Sequence, residues 1–269
     1  MKHFCEKIGL PHDAYMAVQQ LFAAPATHAQ VANLKALFAR KSPDFYQQIL
    51  QKPDAALWFL LLYILLAMDA KQEYEKRGIA QQIYYDTFSD ITVWEAEHFA
   101  KTQQHGLMEY DWLPTHCRME LFRLGRLQFQ PIAFPQELRT LVHSVPNETV
   151  LNVHIPKGPS LTQENTEDAY RQAAAFFRLQ PLCFVCESWL LSPALPMLVK
   201  PQAGILLFKN RFTPLCNVND RQAEERIFGD LCDDPADYPQ NTSLQKSAAA
   251  WLAAGNQIPA AWGMFMYSV

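Results

Sequence analysis

The chain is poor in charge and carries no concentrated block of either sign. Charged residues make up 19% of its 269 positions, and the formal net charge is -4. Proteins that bind nucleic acid through phosphate contacts present a basic patch or stripe, so the lack of a basic run predicts no nucleic-acid partner. Hydrophobic residues reach 49%, which is ordinary for a globular protein and excludes extended disorder.

The sequence also lacks a leader peptide pattern and an apolar run long enough to cross a membrane. Its first residues, MKHFCE, do not show the charged-then-apolar order of a signal peptide. The run at residues 55–68 holds 14 apolar or aromatic residues between Asp54 and Asp69, whereas a spanning helix needs about 20. We therefore predict a helix buried in a bundle, no membrane partner and a cytoplasmic location.

Six cysteines are too few and too scattered to form a dense disulfide framework, which predicts reduced, buried thiols. Cys183 and Cys186 have the CxxC spacing of metal and redox sites. However, the segment LCFVC is typical of a strand, and residues three apart on a strand point to opposite faces. Since there is also no second CxxC and no HxxxH, we predict no metal site.

The first part of the chain has helical periodicity. Apolar residues recur at helical spacing over residues 12–23 and 28–40. Thr92, followed three residues later by Glu95, indicates a capping box that opens a helix over residues 92–104. We predict a helical N-terminal domain over residues 1–115.

The second part, residues 116–269, alternates strands with helices. Strands are predicted at residues 119–134, 149–155, 183–191, 204–212 and 262–269, with the longer helices at residues 166–179 and 243–254. Strand–helix–strand order is typical of crossover connections, so part of the sheet should be parallel. The predicted class is α+β, with a mixed sheet covered by helices on both faces.

Several sequence blocks resemble a poorly characterised bacterial family of acyltransferase-domain proteins. The blocks are SDI at residues 89–91 with Trp94, FRLGRLQF at 122–129, VHIP at 153–156 with Gly158, SWLL at 188–191 and TSLQ at 242–245. Members of that family join a helical N-acyltransferase N-terminal domain to a C-terminal domain similar to the GNAT fold, the superfamily of N-acyltransferases that use acyl-coenzyme A (acyl-CoA). The resemblance covers nearly the whole chain. It implies a GNAT-like sheet, acetyl-CoA or another acyl-CoA as co-substrate, and a small-molecule or amine acceptor.

The resemblance also implies where the coenzyme binds. In GNAT enzymes the fourth strand splays from the fifth, and a loop leading into the next helix holds the pyrophosphate through backbone amides. Here the fourth strand would be residues 151–155 and the loop residues 156–160, in which Lys157 supplies a cation and Gly158 permits close approach. The two prolines of this loop have no amide hydrogen to donate. The coenzyme-binding residues so implied are Ile155, Lys157, Gly158 and Ser160.

Acyl transfer to an amine needs a group that removes a proton, and Glu187 and His154 are the candidates on neighbouring strands. A carboxylate in an apolar strand is costly unless paired, so Glu187 is either half of an ion pair with Arg123 or Arg126, or a site residue with a raised pKa. His154 is either a base or a histidine hydrogen-bonded within the sheet.

Two other functions remain open. Ser188 or Cys186, with His154 as base, would suggest a hydrolase, although no Gly-x-Ser-x-Gly elbow surrounds Ser188 and alternation separates both residues from the face of Glu187. The second is a non-catalytic GNAT-like module that binds a small ligand or a partner protein.

Overall fold

The computed structural model describes residues 1–142 and 148–267. The chain forms two compact units, Met1–Arg123 and Leu124–Val269. The described part of the first unit is helical, as predicted. Its helices are α1 (Lys2–Lys7), α2 (His12–Ala23), α3 (Pro25–Ala39), α4 (Asp44–Leu50), α5 (Ala55–Lys76), α6 (Gln81–Phe88), α7 (Asp90–Thr102) and α8 (Pro114–Cys117).

The apolar run predicted to be a buried helix forms the first two thirds of α5. Six consecutive side chains, residues 59–64, are fully buried, so the helix is apolar on every side because every side is packed. By length and composition α5 could cross a membrane, but more than half of its most apolar window is buried inside the protein. The prediction of a buried core helix is confirmed.

The predicted capping box at Thr92 is wrong. Helix α7 begins two residues earlier, so Thr92 and Glu95 both lie inside the helix. The Thr92 hydroxyl donates to the carbonyl oxygen of Ile8 at 3.0 Å. Glu95 is buried and its Oε1 lies 2.7 Å from Nδ1 of His105. Both side chains therefore serve tertiary contacts, which override a local capping pattern.

The second unit contains most of a mixed sheet. Its elements, with β1 spanning the boundary between the units, are β1 (Phe122–Leu124), β2 (Leu127–Ala133), β3 (Thr149–His154), α9 (Gln163–Phe177), β4 (Leu182–Ser188), α10 (Leu195–Leu198), α11 (Gly204–Asn210), β5 (Thr213–Val218), α12 (Gln222–Phe228), α13 (Ser243–Ala253) and β6 (Ala260–Tyr267). The strand order is β1-β2-β3-β4-β6-β5. Strands β3 and β4 are parallel, and β6 runs antiparallel to both of its neighbours. The predicted α+β class is confirmed; the last two residues of the predicted strand 262–269 lie outside the described residues.

Helix α9 packs on one face of the sheet through Tyr170. The ring of Tyr170 lies 5.0 Å from the rings of Phe184 and Phe265 and 6.2 Å from that of Phe129, measured between centroids. These rings come from three different strands. The helix was predicted to begin at residue 166, but it begins at Gln163 because Thr162 is its N-cap.

The opposite face carries a separate apolar cluster. It includes Cys183, Val185 and Trp262 from the strands and Leu138 from a 3-10 turn. Cys186 lies on the α9 face by strand alternation and, like Cys183, is a buried free thiol. The sulfurs of the CxxC pair are thus on opposite sides of the sheet, as the strand assignment predicted.

The strand predicted at residues 204–212 is wrong. This segment forms helix α11, and the strand follows it at Thr213–Val218. Short apolar runs cannot be assigned to helix or strand by periodicity alone. The ring centroids of Phe208 and Phe212, four residues apart, lie 5.1 Å from each other, which is the spacing of neighbours on a helix.

Candidate functional site

Strands β3 and β4 part from each other toward their carboxyl ends. Their ladder reaches Asn152 paired with Val185 and does not continue through the described residues beyond that pair. On the outer sides the pairing persists, since β3 stays paired with β2 as far as His154 and β4 stays paired with β6 as far as Ser188. The sheet therefore has a fork at its centre, which is the gap between residues 153–154 of β3 and residues 186–188 of β4. The strands on each side of the fork remain paired.

His154 and Glu187 stand on the two arms of this fork and on the same face of the sheet. Each lies two residues beyond the last ladder pair, Asn152 and Val185, so alternation returns both side chains to the face of that pair. In a continuous parallel ladder they would be direct neighbours. The structure therefore places the two residues that the sequence singled out for proton transfer on the same face of the sheet, one on each arm of the fork.

The surroundings of Glu187 disfavour its charged form. Glu187 is exposed, yet packing around its strand removes part of the hydration of its carboxylate, and the carboxylates of Asp220 and Glu137 add repulsion. For these two reasons, in that order, the pKa of Glu187 is raised. The guanidinium of Arg126, considered above as an ion-pair partner of Glu187, donates hydrogen bonds to the loop at residues 156–160. Arg123 donates from Nη1 to the Ser89 hydroxyl at 3.2 Å.

His154 is held by polar neighbours within the sheet. Its Nε2 lies 3.1 Å from Oε1 of Gln130 and 3.3 Å from Nδ2 of Asn152. These contacts match the alternative of a histidine hydrogen-bonded in the sheet, and they fix the ring at the edge of the fork. Of the two candidates, Glu187 is the more accessible proton acceptor.

The loop at residues 156–160 is clamped by Arg126. Nη1 of Arg126 donates to the carbonyl oxygen of Pro156, and Nε of Arg126 donates to that of Pro159, both at 2.7 Å. Because the two carbonyls point to Arg126, the guanidinium fixes the loop that carries Lys157 and Gly158. From the sequence, Arg126 was considered only as an ion-pair partner of Glu187, and its role as a loop clamp was missed.

Residues implied to bind a coenzyme lie at the mouth of the fork. Ile155 follows β3 directly and is half-buried, whereas Lys157, Gly158 and Ser160 are exposed. The carbonyl oxygen of Ser160 accepts a hydrogen bond from Nδ2 of Asn165, 2.8 Å away in the first turn of α9. The loop is thereby tied to the helix N-terminus, where backbone amides favour an anion.

Glycine 204 supports the loop from the other side. A Cβ atom at Gly204 would lie 1.6 Å from the carbonyl oxygen of Leu161, so no side chain fits between α11 and the end of the loop. The sequence shows this residue as an ordinary glycine at the start of an apolar run. Its role depends on a contact between segments 43 positions apart, and no local signal could have revealed it.

The hydrolase alternative is not supported by the arrangement. The Ser188 hydroxyl accepts a hydrogen bond from the Leu190 amide at 3.1 Å and is buried at the end of β4. Cys186 is also buried, and burial raises the pKa of its thiol. Both residues alternate onto the face opposite to His154, which therefore cannot serve either as a base.

The two units correspond to two families of domains. The family described as N-acyltransferase N-terminal domain matches residues 1–119, and the one described as GNAT-like C-terminal domain matches residues 121–265, more than half of the chain. The chain belongs to the GNAT-like C-terminal domain family. A GNAT-like assignment agrees with the forked mixed sheet and with the resemblance noted in the sequence. A comparison with curated proteins found no match.

Solved structures share the fold of this GNAT-like protein over almost its whole length. One is an acyltransferase in complex with decanoyl-CoA and teicoplanin, with a TM-score of 0.79 and 19% identity over 99% of this chain and 87% of that chain. Another is an acyltransferase in complex with decanoyl-CoA, with a TM-score of 0.80 and 18% identity over the same shares. A third is a mutant acyltransferase in complex with octanoyl-CoA, with a TM-score of 0.79, 19% identity and the same coverage. At these identities the likeness establishes the fold.

Proposed function

We propose that this GNAT-like protein is an acyl-CoA-dependent N-acyltransferase. The observation that carries the proposal is the fork between β3 and β4, which opens toward a clamped loop and a helix N-terminus. Extended ligands pair with strand edges that a sheet leaves open, and anions bind where backbone amides converge. Acyl-CoA combines an extended arm with a pyrophosphate. The structural neighbours were crystallised with such thioesters.

In this proposal each predicted residue other than His154 has one task. Ile155 offers backbone at the fork, Lys157 neutralises a phosphate charge, and Gly158 and Ser160 allow close approach to it. Glu187 accepts the proton that the acceptor amine loses when its nitrogen attacks the thioester carbonyl. The carbon–sulfur bond breaks as the amide forms, and the coenzyme A thiolate leaves and takes up a proton from solvent. A raised pKa suits this task because a stronger base removes the proton more readily.

Coenzyme binding is tested by thermal shift with acetyl-CoA and longer acyl-CoAs. A ligand at 100 times its dissociation constant should stabilise the wild-type protein by about 2.7 kcal/mol. Gly158→Val should abolish this shift while the unliganded protein still unfolds cooperatively. Gly255→Val is the control for backbone strain: the φ of +80° at Gly255 disfavours a side chain, so this variant should melt at a lower temperature and keep the stabilisation by acyl-CoA. An unchanged response of Gly158→Val would show that the loop is a surface connection.

Catalysis is tested separately, by release of the coenzyme A thiol in the presence of a panel of small amines. Glu187→Gln keeps the size of the side chain but cannot accept a proton. It should bind acyl-CoA like the wild type, and its turnover should be at least about 10²-fold slower. If the wild type binds acyl-CoA but transfers the acyl group to no amine, the alternative of a non-catalytic ligand-binding module is favoured.

A further inference from the structure

The face of the sheet that carries Glu187 is only partly covered by the described residues. Helix α9 packs on the other face, whereas a 3-10 turn covers the Glu187 face around Leu138. Beyond this turn the apolar side chains remain accessible to solvent. We call them the open face. Its members are Met266, which is 43% exposed, and the half-buried residues Ile132, Leu215, Cys216, Val218 and Met264.

The open face begins beside Glu187. In the ladder between β4 and β6, Glu187 pairs with Trp262, and alternation puts Met264 and Met266 on the same side of β6 as that tryptophan. At about 3.4 Å per residue, Met264 lies about 7 Å along the strand from the row of Glu187, and Met266 about 14 Å from it. A ligand that reaches Glu187 with one end would therefore rest its remainder on apolar surface.

An apolar surface of this kind is unusual for a sheet in a soluble domain. Contiguous exposed apolar side chains mark a place where something binds, whereas single exposed ones need no explanation. Here they come from three strands, β2, β5 and β6. Methionine side chains are flexible and polarizable, so Met264 and Met266 can adapt to an apolar ligand of variable shape.

The charge beside the open face is negative. Asp220 follows β5 two residues after Val218, and Glu137 belongs to the 3-10 turn next to Leu138. Both carboxylates are exposed and close enough to Glu187 to repel its charged form. A primary alkylamine is protonated at neutral pH, as lysine is, and carboxylates from three elements attract it. The same carboxylates repel a ligand that bears an acidic group.

We propose that the open face binds the acyl acceptor and that this acceptor is a primary amine on an apolar body without acidic groups. The inference rests on the proposed function and adds to it the chemical class of the acceptor. The amine lies among the carboxylates, and its body lies on the methionines of β6. The bound ammonium group releases one proton to water before its nitrogen reacts, and Glu187 accepts the second proton as the amide forms.

The apolar part of the inference is tested with amines of equal basicity and increasing length. Thiol release is measured with butylamine, hexylamine and octylamine, using the acyl-CoA that gives the largest thermal shift. A methylene moved completely out of water improves binding about fourfold, so one that is half covered on an open face should raise kcat/KM about twofold. Met264→Gln should reduce this increment to less than about 1.5-fold.

Met16→Gln is the matched control for this variant. Met16 is a 47% exposed methionine of α2, and its replacement should leave the increment per methylene at the wild-type value. Melting temperatures show whether both variants are folded. The increment in the wild type tests the inference even if Met264→Gln does not fold.

The charge preference is tested with two acceptors of the same length, 6-aminohexanol and 6-aminohexanoate. The wild type should use the neutral alcohol with a kcat/KM at least about fivefold higher, because the carboxylate is repelled. In the double variant Asp220→Asn/Glu137→Gln this ratio should fall by at least about half. A change in the pKa of Glu187 affects both acceptors and cancels from the ratio. Asp233→Asn removes a charge between α12 and α13 and should leave the ratio unchanged.

The outcomes distinguish the failure of the inference from that of the proposed function. If the wild type acylates amines without any gain per methylene, or prefers 6-aminohexanoate, the inference is wrong and the proposed function stands. A dimer in light scattering that Met264→Gln dissociates would assign the open face to a second copy of this chain and also overturn the inference. If the wild type binds no acyl-CoA, or acylates none of the amines, both fail.

Discussion

Gly204→Ala tests the support of the proposed phosphate loop without changing the loop itself. Helix propensity alone predicts stabilisation, since alanine is favoured over glycine by up to about 1 kcal/mol. The contact with Leu161 predicts the reverse. The new Cβ would lie 1.6 Å from the Leu161 carbonyl oxygen, whereas a close carbon–oxygen contact is about 3.3 Å, so one backbone must move by roughly 1.7 Å.

The exposed loop should give way rather than the packed helix, because loop residues 157–160 are exposed and α11 buries Leu206 and Phe208. A misplacement of about 1 Å in a binding site can reduce turnover 10²-fold. We therefore expect kcat/KM with acyl-CoA to fall by at least about 10²-fold, with a cost in stability of about 1–3 kcal/mol from overpacking. The assays are thiol release over a range of acyl-CoA concentrations and thermal unfolding without ligand.

Gly255→Ala is the control for strain unrelated to the loop. Gly255 has a φ of +80° and open space around its Cβ position, so alanine there should lower stability and leave kcat/KM unchanged. If Gly204→Ala instead melts at a higher temperature and keeps wild-type affinity for acyl-CoA, helix propensity has prevailed and the loop does not depend on this contact.

Three further predictions concern the core, the thiols and the proposed base. Leu61→Asp should give insoluble or unfolded protein, because Leu61 is 0% exposed and an unpaired charge in a core costs several kcal/mol; a soluble, cooperatively folding variant would contradict this. Cys183 and Cys186 should hold no metal, and stoichiometric zinc in the purified protein would overturn the assignment of their sulfurs to opposite faces. Asp220→Asn removes a negative charge that raises the pKa of Glu187, so the rise of kcat/KM with pH should move to lower pH; an unmoved profile would exclude Glu187 as the titrating base.

Matched variants separate these effects from general damage. Leu61→Met keeps an apolar side chain of similar volume and should remain folded. Asp233→Asn, at an exposed position between α12 and α13, should leave the pH profile of kcat/KM unchanged.

Short-range patterns carried most of the architecture. The unbroken apolar run in α5 predicts burial in any fold, because exposing any side of that helix to water is unfavourable. The alternation of strands and helices after residue 116 predicts the mixed sheet for a similar reason, since parallel pairing requires a crossover. Strand alternation alone also placed Cys183 and Cys186 on opposite faces.

Local patterns failed where distant segments compete for the same residues. Thr92 and Glu95 have the spacing of a capping box, but Ile8 and His105 offer them partners that the local sequence does not contain. Residues 204–212 have the apolar content of a strand, and the decision between helix and strand was made by packing.

Part of the candidate site could be predicted from the sequence, and part was decided only by the tertiary structure. His154 and Glu187 could be recognised in the sequence, because a polar side chain within an apolar strand is costly unless it is paired or has a function. Only the tertiary structure placed them on facing arms of a fork, since the fork depends on where the ladder between β3 and β4 stops. The clamp of Arg126 and the close approach at Gly204 were likewise decided by the tertiary structure, because each contact joins residues more than 25 positions apart, beyond the range over which a sequence pattern can act.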